Sequence, residues 1–302
     1  MSALGEMEEV ARKLVGLGMW DALANCKWAA KPHGTAVPYF CTVLKSQPGD
    51  PVKLRFVMLE GWQTLHDFVR LGVDPSLGFY SSPMEMKSYV LAVLADGGFK
   101  VFAHEPGYVP REIGDEKGAA ICAKILWQAY GLMLRLESDP QSALAYMDQK
   151  AIFARFEKAG GEWEDGPLAI PEPVPLVERI SFPNDLLAKA KDMPMTPDAK
   201  VSVDFRMVPS LMTNEPRPRS VYRLSVRRLP DGFNVEEHAS VVGELGLKGL
   251  WESVPPRVLT VLVREGCIPG EIHMTSKRLF RLMRPIMLQL PIKLCLHDEV
   301  SH

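Results

Sequence analysis

The course of the chain is decided at His104-Glu105-Pro106-Gly107-Tyr108-Val109-Pro110-Arg111-Glu112. This stretch separates a strand-like run, Phe99–Ala103, from the longest helical pattern in the sequence, which begins at about Asp115. Its two prolines and its glycine disfavour helix and predict a rigid turn. The turn also gathers an imidazole, two carboxylates, a phenol and a guanidinium near a helix entrance, where free backbone N–H groups favour anions. The stretch is therefore both a corner of the fold and the first place to look for a site.

The segments before the turn predict a mixture of helices and strands. Apolar residues from Met7 to Leu17 recur at helical spacing, and Val37–Leu44 and Val52–Leu59 are typical of the two strands of a hairpin. We also predict a helix at Ser82–Ala95, because a proline is well accommodated in a first turn.

The segments after the turn complete the prediction of fold class. Asp115–Leu136 carries apolar residues nearly all round, which indicates the buried central helix of its domain. Ser138, followed by Asp139 and Pro140, predicts the start of a further helix that ends at Gly160. Beyond residue 183, helices and strands alternate, which favours α/β layers with some parallel pairing. The strands are predicted at Val201–Val208, Tyr222–Leu229, Glu271–Thr275 and Ile292–Leu296, and the helices at Asn184–Lys191, Pro256–Arg264 and Ser276–Leu290.

Taken together, these patterns predict an α+β protein with two α/β-layered domains, small mixed sheets and packed helices. A chain of 302 residues is long for a single hydrophobic core, which favours two domains. The composition changes between Gly160 and Pro175, where glycine, proline and acidic residues accumulate. We therefore predict an N-terminal domain at 1–160, an acidic linker rich in proline and glycine at 161–183 and a C-terminal domain at 184–302.

Composition limits the environment and the partners of the chain. Hydrophobic residues make up 47% and charged residues 24% of the sequence, as in ordinary globular proteins. An acidic N-terminus and the lack of any apolar run of about 18 residues lead us to expect a cytoplasmic protein without a membrane partner. The five scattered cysteines form no C-x-x-C pair, so we expect reduced thiols. A net charge of −2 argues against nucleic acid as the partner.

Chemically active side chains are concentrated in the turn. His104 is a candidate general base, Glu105 a candidate partner for it, and Arg111 a candidate grip for a phosphate or carboxylate, with Tyr108 beside them. This set defines one hypothesis, a small hydrolase or transferase acting on an anionic substrate. The alternative is architectural, because adjacent residues of an extended segment point to opposite faces and most loop charges are only solvated.

A second candidate site is a stripe of arginines on a predicted strand. Arg219, Arg223 and Arg227 fall on one face at even spacing and are able to follow a phosphate backbone in weak nucleic-acid binding. The alternative is a solvated sheet face whose charges guard against edge pairing.

Motifs for metals and cofactors are absent from the sequence. The seven histidines make no H-x-H or H-E-x-x-H pattern, and neither a phosphate-binding loop nor a dinucleotide fingerprint is present. We therefore expect no cofactor and no metal. The leading hypothesis is a non-enzymatic binding module, with another protein as one candidate partner, and the sequence leaves open whether the chain is an enzyme.

Two segments resemble parts of a bacterial family of uncharacterised proteins, a domain of unknown function. The first is Phe99–Glu137, with its strand, its Glu-Pro-Gly-Tyr-Val-Pro turn and its long helix. The second is Gly266–Lys293, in which a proline precedes an I-x-x-x-S strand, here Ile272-His273-Met274-Thr275-Ser276, and a helix and an I-K-V-like strand follow. The resemblance implies a two-part α+β layout and, because the family has no assigned activity, no catalytic residues.

Overall fold

The structure is a computed structural model, and it confirms an α+β fold with two mixed sheets. Contacts between residues divide the chain into two compact units. The first unit holds the described residues up to 64, Met86–Glu105 and 110–171, and the second holds Pro106–Val109 and the described residues from 180 onward. The structure describes residues 2–24, 26–46, 49–64, 86–139, 151–171, 180–212 and 217–297.

The first unit is an eight-stranded sheet with helices packed on it. Its strands run in the order β6-β5-β4-β3-β2-β1-β7-β8, and all neighbours are antiparallel except β1 and β7, which are parallel. The helices are α1 (Ala3–Leu17), α2 (Trp20–Ala24) and α3 (Glu116–Ser138). The strands are β1 (Trp28–Lys31), β2 (Tyr39–Lys45), β3 (Val52–Glu60), β4 (Ser88–Leu94), β5 (Phe99–His104), β6 (Arg111–Glu112), β7 (Ala151–Glu157) and β8 (Trp163–Ala169).

The helical spacing near the N-terminus and after the turn is confirmed by α1 and α3. Val10 and Leu14 of α1 and Leu126 of α3 are fully buried in one apolar cluster beneath the sheet. The start of α3 is set by Asp115, whose carboxylate accepts a hydrogen bond from the backbone N–H of Gly118 at 2.7 Å. A capped and buried helix of this kind gives the first unit a rigid base.

Three strands of this sheet lie where the sequence predicts other structure. The predicted helix Ser82–Ala95 is wrong over Ser88–Leu94, which forms β4, and the predicted helix after Ser138 is wrong over Ala151–Glu157, which forms β7. Most of β4 and the first half of β7 are buried, so their apolar runs lack the alternation that identifies a strand. The predicted linker contains the edge strand β8, where Pro167 is tolerated. Within those predicted helices, residues 82–85 and 140–150 lie outside the described part of the chain.

The second unit is a five-stranded sheet in the order β11-β10-β9-β12-β13. β12 pairs in parallel with both β9 and β13, whereas β10 is antiparallel to β9 and β11. The predicted β-α-β pattern at the end of the chain is therefore confirmed, and β11 is a strand that the sequence did not indicate. The helices are α4 (Asn184–Asp192), α5 (Gly246–Glu252), α6 (Val254–Glu265) and α7 (Lys277–Met287). The strands are β9 (Met195–Met212), β10 (Arg219–Leu229), β11 (Asn234–Val241), β12 (Ile268–Met274) and β13 (Lys293–Leu296).

The opening turn carries the chain out of the first unit, through Pro106–Val109 in the second, and back. The backbone N–H of Ser220 donates a hydrogen bond to the Gly107 carbonyl at 3.0 Å, and the backbone N–H of Val109 donates one to the Pro218 carbonyl at 3.1 Å. The turn therefore extends the pairing of β10. Among the described residues, no helix combines the length and the hydropathy that crossing a membrane requires.

Candidate functional site

A pocket of about 350 Å³ lies in the first unit, beside the start of α3. Strand pairing creates it: Tyr39 is paired with Glu60 across β2 and β3, and Tyr89 is paired with Ala103 across β4 and β5. These four residues sit at the same ends of neighbouring strands, so their side chains meet where α3 begins. A pocket of this size matches the lower range of small-molecule sites. Its lining also includes residues 34–37 of the loop before β2 and Asp115, Lys117, Gly118 and Ile121 at the entrance of α3.

Two tyrosines form the aromatic part of the lining. The ring centroids of Tyr39 and Tyr89 are 6.2 Å apart and their planes are inclined by 32°. Burial raises the pKa of both phenols, so both hydroxyl groups stay protonated at neutral pH and are able to donate hydrogen bonds. Burial of an aromatic pair with free polar ends is typical of a ligand pocket.

Three carboxylates lie close enough to Tyr89 for their charges to raise its pKa. After burial and the nearby Cys122, the charges of Glu60, Asp115 and Glu105 raise the pKa of Tyr89 further, in that order. Glu60 and then Tyr89 also raise the pKa of Tyr39 after burial. The surroundings of the two tyrosines are therefore rich in negative charge and in hydrogen-bond acceptors.

Basic side chains occupy the outer part of the same pocket. The ammonium group of Lys87 lies 2.7 Å from a carboxylate oxygen of Glu60, and its side chain is 53% exposed against 18% for Glu60. Arg111 and Asp115 approach each other to 3.9 Å, and both are exposed. Lys117 is likewise exposed in the first turn of α3. The pocket therefore has two partly buried carboxylates, Glu60 and Glu105, and an exposed rim on which the basic side chains lie together with Asp115.

The residues that the sequence singled out around the turn separate in the structure. His104, Glu105 and Arg111 line the pocket, but Tyr108 belongs to the second unit, where the guanidinium of Arg217 lies 3.9 Å from its ring centroid. The reason is the turn itself, since Pro106–Val109 pairs with β10. The four side chains thus do not form a single catalytic group.

His104 itself is placed poorly for the role of general base with Glu105. His104 is the last residue of β5, where it is paired with Ser88, and Glu105 follows outside the strand. Burial lowers the pKa of His104 to about 4, with a smaller contribution from the charge of Arg55, so its imidazole is neutral at pH 7. A neutral, weakly basic imidazole fits a packing role beside the pocket.

The arginine stripe on β10 is engaged with its own unit. Arg219 donates a hydrogen bond to the carbonyl of Val242 at 2.7 Å, and Arg223 pairs with Glu237 at 2.9 Å, whereas Arg227 is exposed. Register shifts lie between each arginine and the next, because β10 is irregular against both of its neighbours. This arrangement favours a solvated, partly neutralised face over a track for phosphates.

Comparison with protein-family models, with curated proteins and with solved structures finds no match to this chain. The resemblance to a bacterial family therefore stays a prediction, and only the geometry of the site indicates a function. Tyr39, Tyr89 and Glu60 are the pocket residues that sequence reasoning missed. The hairpin pattern contained one usable signal, because it pairs Tyr39 with Glu60, but Tyr89 lay in a segment interpreted as helix.

Proposed function

We propose that the first unit is a non-enzymatic binding module for a small zwitterion, a molecule with an amine and a carboxylate or phosphate group. The observation that carries this proposal is the division of charge in the pocket beside α3. The partly buried Glu60 and Glu105 lie near Tyr89, whereas Lys87, Arg111 and Lys117 are exposed at the rim beside Asp115. One molecule with both charges satisfies both groups of side chains.

Each half of such a ligand has a physical partner. An ammonium group gains charge-assisted hydrogen bonds from the inner carboxylates and a favourable interaction with the face of a tyrosine ring. A carboxylate at the other end gains from Arg111 and Lys117 and from the positive end of the 23-residue helix α3. A ligand with only an acidic group has no ammonium group to bind the inner carboxylates. A ligand with only an amine has no acidic group to bind the basic side chains at the rim.

Binding is a better interpretation than hydrolysis or group transfer. A general base requires an imidazole or carboxylate aimed at the substrate and oriented by a second group. Burial makes His104 a weak base, and Tyr108 is in the other unit. The enzyme hypothesis thus loses the convergence that it needs. In the arginine stripe, Arg219 is held by the Val242 carbonyl and the charge of Arg223 is paired with Glu237.

The test is a matched series of ligands with one carbon skeleton. We expect 4-aminobutyrate or one of the proteinogenic amino acids to raise the Tm of the protein in a saturable manner, confirmed by calorimetric titration. Butylamine and butyrate, which each carry one of the two charges, should bind at least about tenfold more weakly, since each forfeits one set of charged hydrogen bonds. The proposal is abandoned if no zwitterion gives saturable binding, or if the singly charged analogues bind as tightly as the zwitterion.

Variants locate the binding site. Glu60→Gln should lower the affinity for the zwitterion by about ten- to a hundredfold, because a charged hydrogen bond is replaced by a neutral one. Glu157→Gln is a matched control, since Glu157 also ends a strand of this sheet and pairs with a lysine, Lys124, at 2.8 Å. Equal losses in both variants would place the ligand elsewhere.

The wider setting is proposed on the same basis. We retain a cytoplasmic location, a bacterial source and a two-domain organisation as expectations from the sequence. Another protein is retained as a candidate partner on the same footing.

A further inference from the structure

A cluster of metal-ligating side chains lies in the second unit, on the parallel pair β12 and β13. Register places His273 beside Cys295 and Glu271 beside Lys293. These residues alternate with the buried Ile272 and Leu294, so they share the face of the sheet opposite the core. Ligand atoms of Glu271, His273 and Cys295 all lie within 4.8 Å of one another.

A second histidine joins the cluster from the end of β13. His297 follows Cys295 at the same two-residue spacing, and its Nε2 lies 2.6 Å from Nδ1 of His273. The ring centroids are 4.9 Å apart with the planes only 7° from parallel. The difference between these two distances is about the diameter of an imidazole ring, so the rings lie edge to edge with the two nitrogens facing each other. His297 thus adds a second imidazole beside the cluster of Glu271, His273 and Cys295, on the side of His273 Nδ1.

Glu271 acts as the partner that orients His273. Its carboxylate accepts a hydrogen bond from Nε2 of His273 at 3.0 Å. The same carboxylate lies 2.9 Å from the ammonium group of Lys293 and 3.1 Å from that of Lys200. With Nε2 protonated and held by Glu271, Nδ1 of His273 keeps its lone pair for another partner. A carboxylate behind a metal-binding histidine is the usual outer partner in zinc sites.

We propose that Cys295 Sγ, His273 Nδ1 and His297 Nε2 bind a thiophilic divalent cation of the zinc type, with Glu271 as the outer partner of His273. Tetrahedral zinc places nitrogen ligands about 3.3 Å apart and nitrogen and sulfur ligands about 3.6 Å apart. The two nitrogens, which face each other at hydrogen-bond distance, must therefore move apart by about 0.7 Å and turn toward one point, which His297 permits because its side chain is exposed. Three protein ligands leave a fourth position for water or for a ligand from solution.

The ligand set selects the class of metal. A thiolate with two imidazoles suits Zn²⁺ and its analogue Co²⁺, whereas Mg²⁺ and Ca²⁺ require oxygen ligands. Lys200 and Lys293 neutralise Glu271 and so remove the only carboxylate of the cluster from competition for a hard cation. Binding converts the Cys295 thiol to a thiolate and releases its proton to solvent, so the charge balance closes without another reactant.

The experiment uses the full chain, stripped with a chelator and titrated with Zn²⁺ against a chromophoric competitor, and separately with Co²⁺. We expect one equivalent of either metal and a thiolate-to-cobalt charge-transfer band, which requires a sulfur ligand. Cys295→Ser and His297→Asn should each lower the affinity for Zn²⁺ by more than about a hundredfold. Glu271→Gln should lower it by about ten- to a hundredfold. His297→Asn changes an exposed side chain outside the core, so it tests the site even where Cys295→Ser disturbs folding.

Two controls keep the result specific to this cluster. Cys267→Ser changes the other half-buried cysteine of the unit, and His238→Asn changes a histidine on β11, and both variants should bind Zn²⁺ as the parent does. The proposal is overturned if the parent binds less than one equivalent, if the Co²⁺ complex lacks the charge-transfer band, or if His297→Asn retains the parent affinity. Since the pocket beside α3 lies in the other unit, each outcome is independent of the proposed zwitterion.

Discussion

At the scale of the single residue, Gly107 determines whether the turn can form. Its φ is +83°, and a Cβ atom built on it would lie 2.0 Å from Cγ2 of Val242. We predict that Gly107→Ala lowers the free energy of unfolding by about 2 to 4 kcal/mol, because strain in the left-handed region adds to the displacement of Val242. Urea unfolding measures the loss.

Gly266→Ala separates the two causes. Gly266 lies in the same unit at a φ of +76°, but a Cβ atom there would meet nothing within 4 Å. We expect this variant to lose only the backbone part, about 1 kcal/mol. Equal losses of unfolding free energy in the two variants would mean that the Val242 side chain moves aside without cost. The close packing of the turn would then contribute nothing to stability.

His104 gives the pH dependence of stability a definite sign. Burial lowers its pKa to about 4 from the ordinary 6.5, so between these values the unfolded chain binds more protons than the folded one. The stabilisation from a neutral His104 is therefore present above pH 6.5 and is lost as the pH falls toward 4. We predict that His104→Gln reduces the slope of unfolding free energy against pH in this window by up to about 1.4 kcal/mol per pH unit. The profiles of parent and variant should be parallel above pH 7, and a slope unchanged below pH 6.5 would contradict a buried neutral imidazole.

At the scale of the element, α3 joins the stability of the first unit to its pocket through Asp115. The Asp115 carboxylate caps the helix at the Gly118 N–H, and its charge also raises the pKa of Tyr89 in the pocket. We predict that Asp115→Ala lowers the free energy of unfolding by about 1 kcal/mol, whereas Asp115→Asn, which keeps a good cap, leaves it nearly unchanged. Both variants should weaken binding of the zwitterion, because both remove the charge. Denaturation paired with calorimetric titration checks this, and a loss of stability in Asp115→Asn equal to that in Asp115→Ala would assign the effect to charge instead of capping.

Also at this scale, the sequence predicts elements well where burial is one-sided. α1 and α7 each bury one face and expose the other, so periodicity identifies them. β4 is largely buried, and its apolar run resembles a buried helix as closely as a strand. β8 and β11 were missed for the opposite reason, because they are edge strands with at most one buried residue and so lack a regular apolar alternation.

At the scale of the whole molecule, both candidate sites depend on pairing between segments that are far apart in sequence. His104, Glu105 and Arg111 were found because they are local, and Tyr89 was not, because its position depends on the register of β4 against β3 and β5. The cluster on β12 and β13 had a signal in two short patterns, Glu271-Ile272-His273 and Cys295-Leu296-His297. Those patterns become informative only when parallel pairing is known to place them side by side.

The distribution of the five cysteines over the molecule predicts its reactivity with a thiol reagent. Cys26, Cys41 and Cys122 are buried, and burial raises their pKa values, to about 11 for Cys26, whereas Cys267 and Cys295 are half-buried. Because the reacting species is the thiolate, we predict that two thiols react quickly in the native protein and that all five react in guanidinium chloride. Saturating Zn²⁺ should reduce the number of rapidly reacting thiols from two to one in the parent and from one to none in Cys267→Ser, because the bound metal protects the sulfur of Cys295. Timed titration with a chromogenic disulfide measures both counts, and three or more fast thiols in the native state would contradict the buried placement of the cysteines in the first unit.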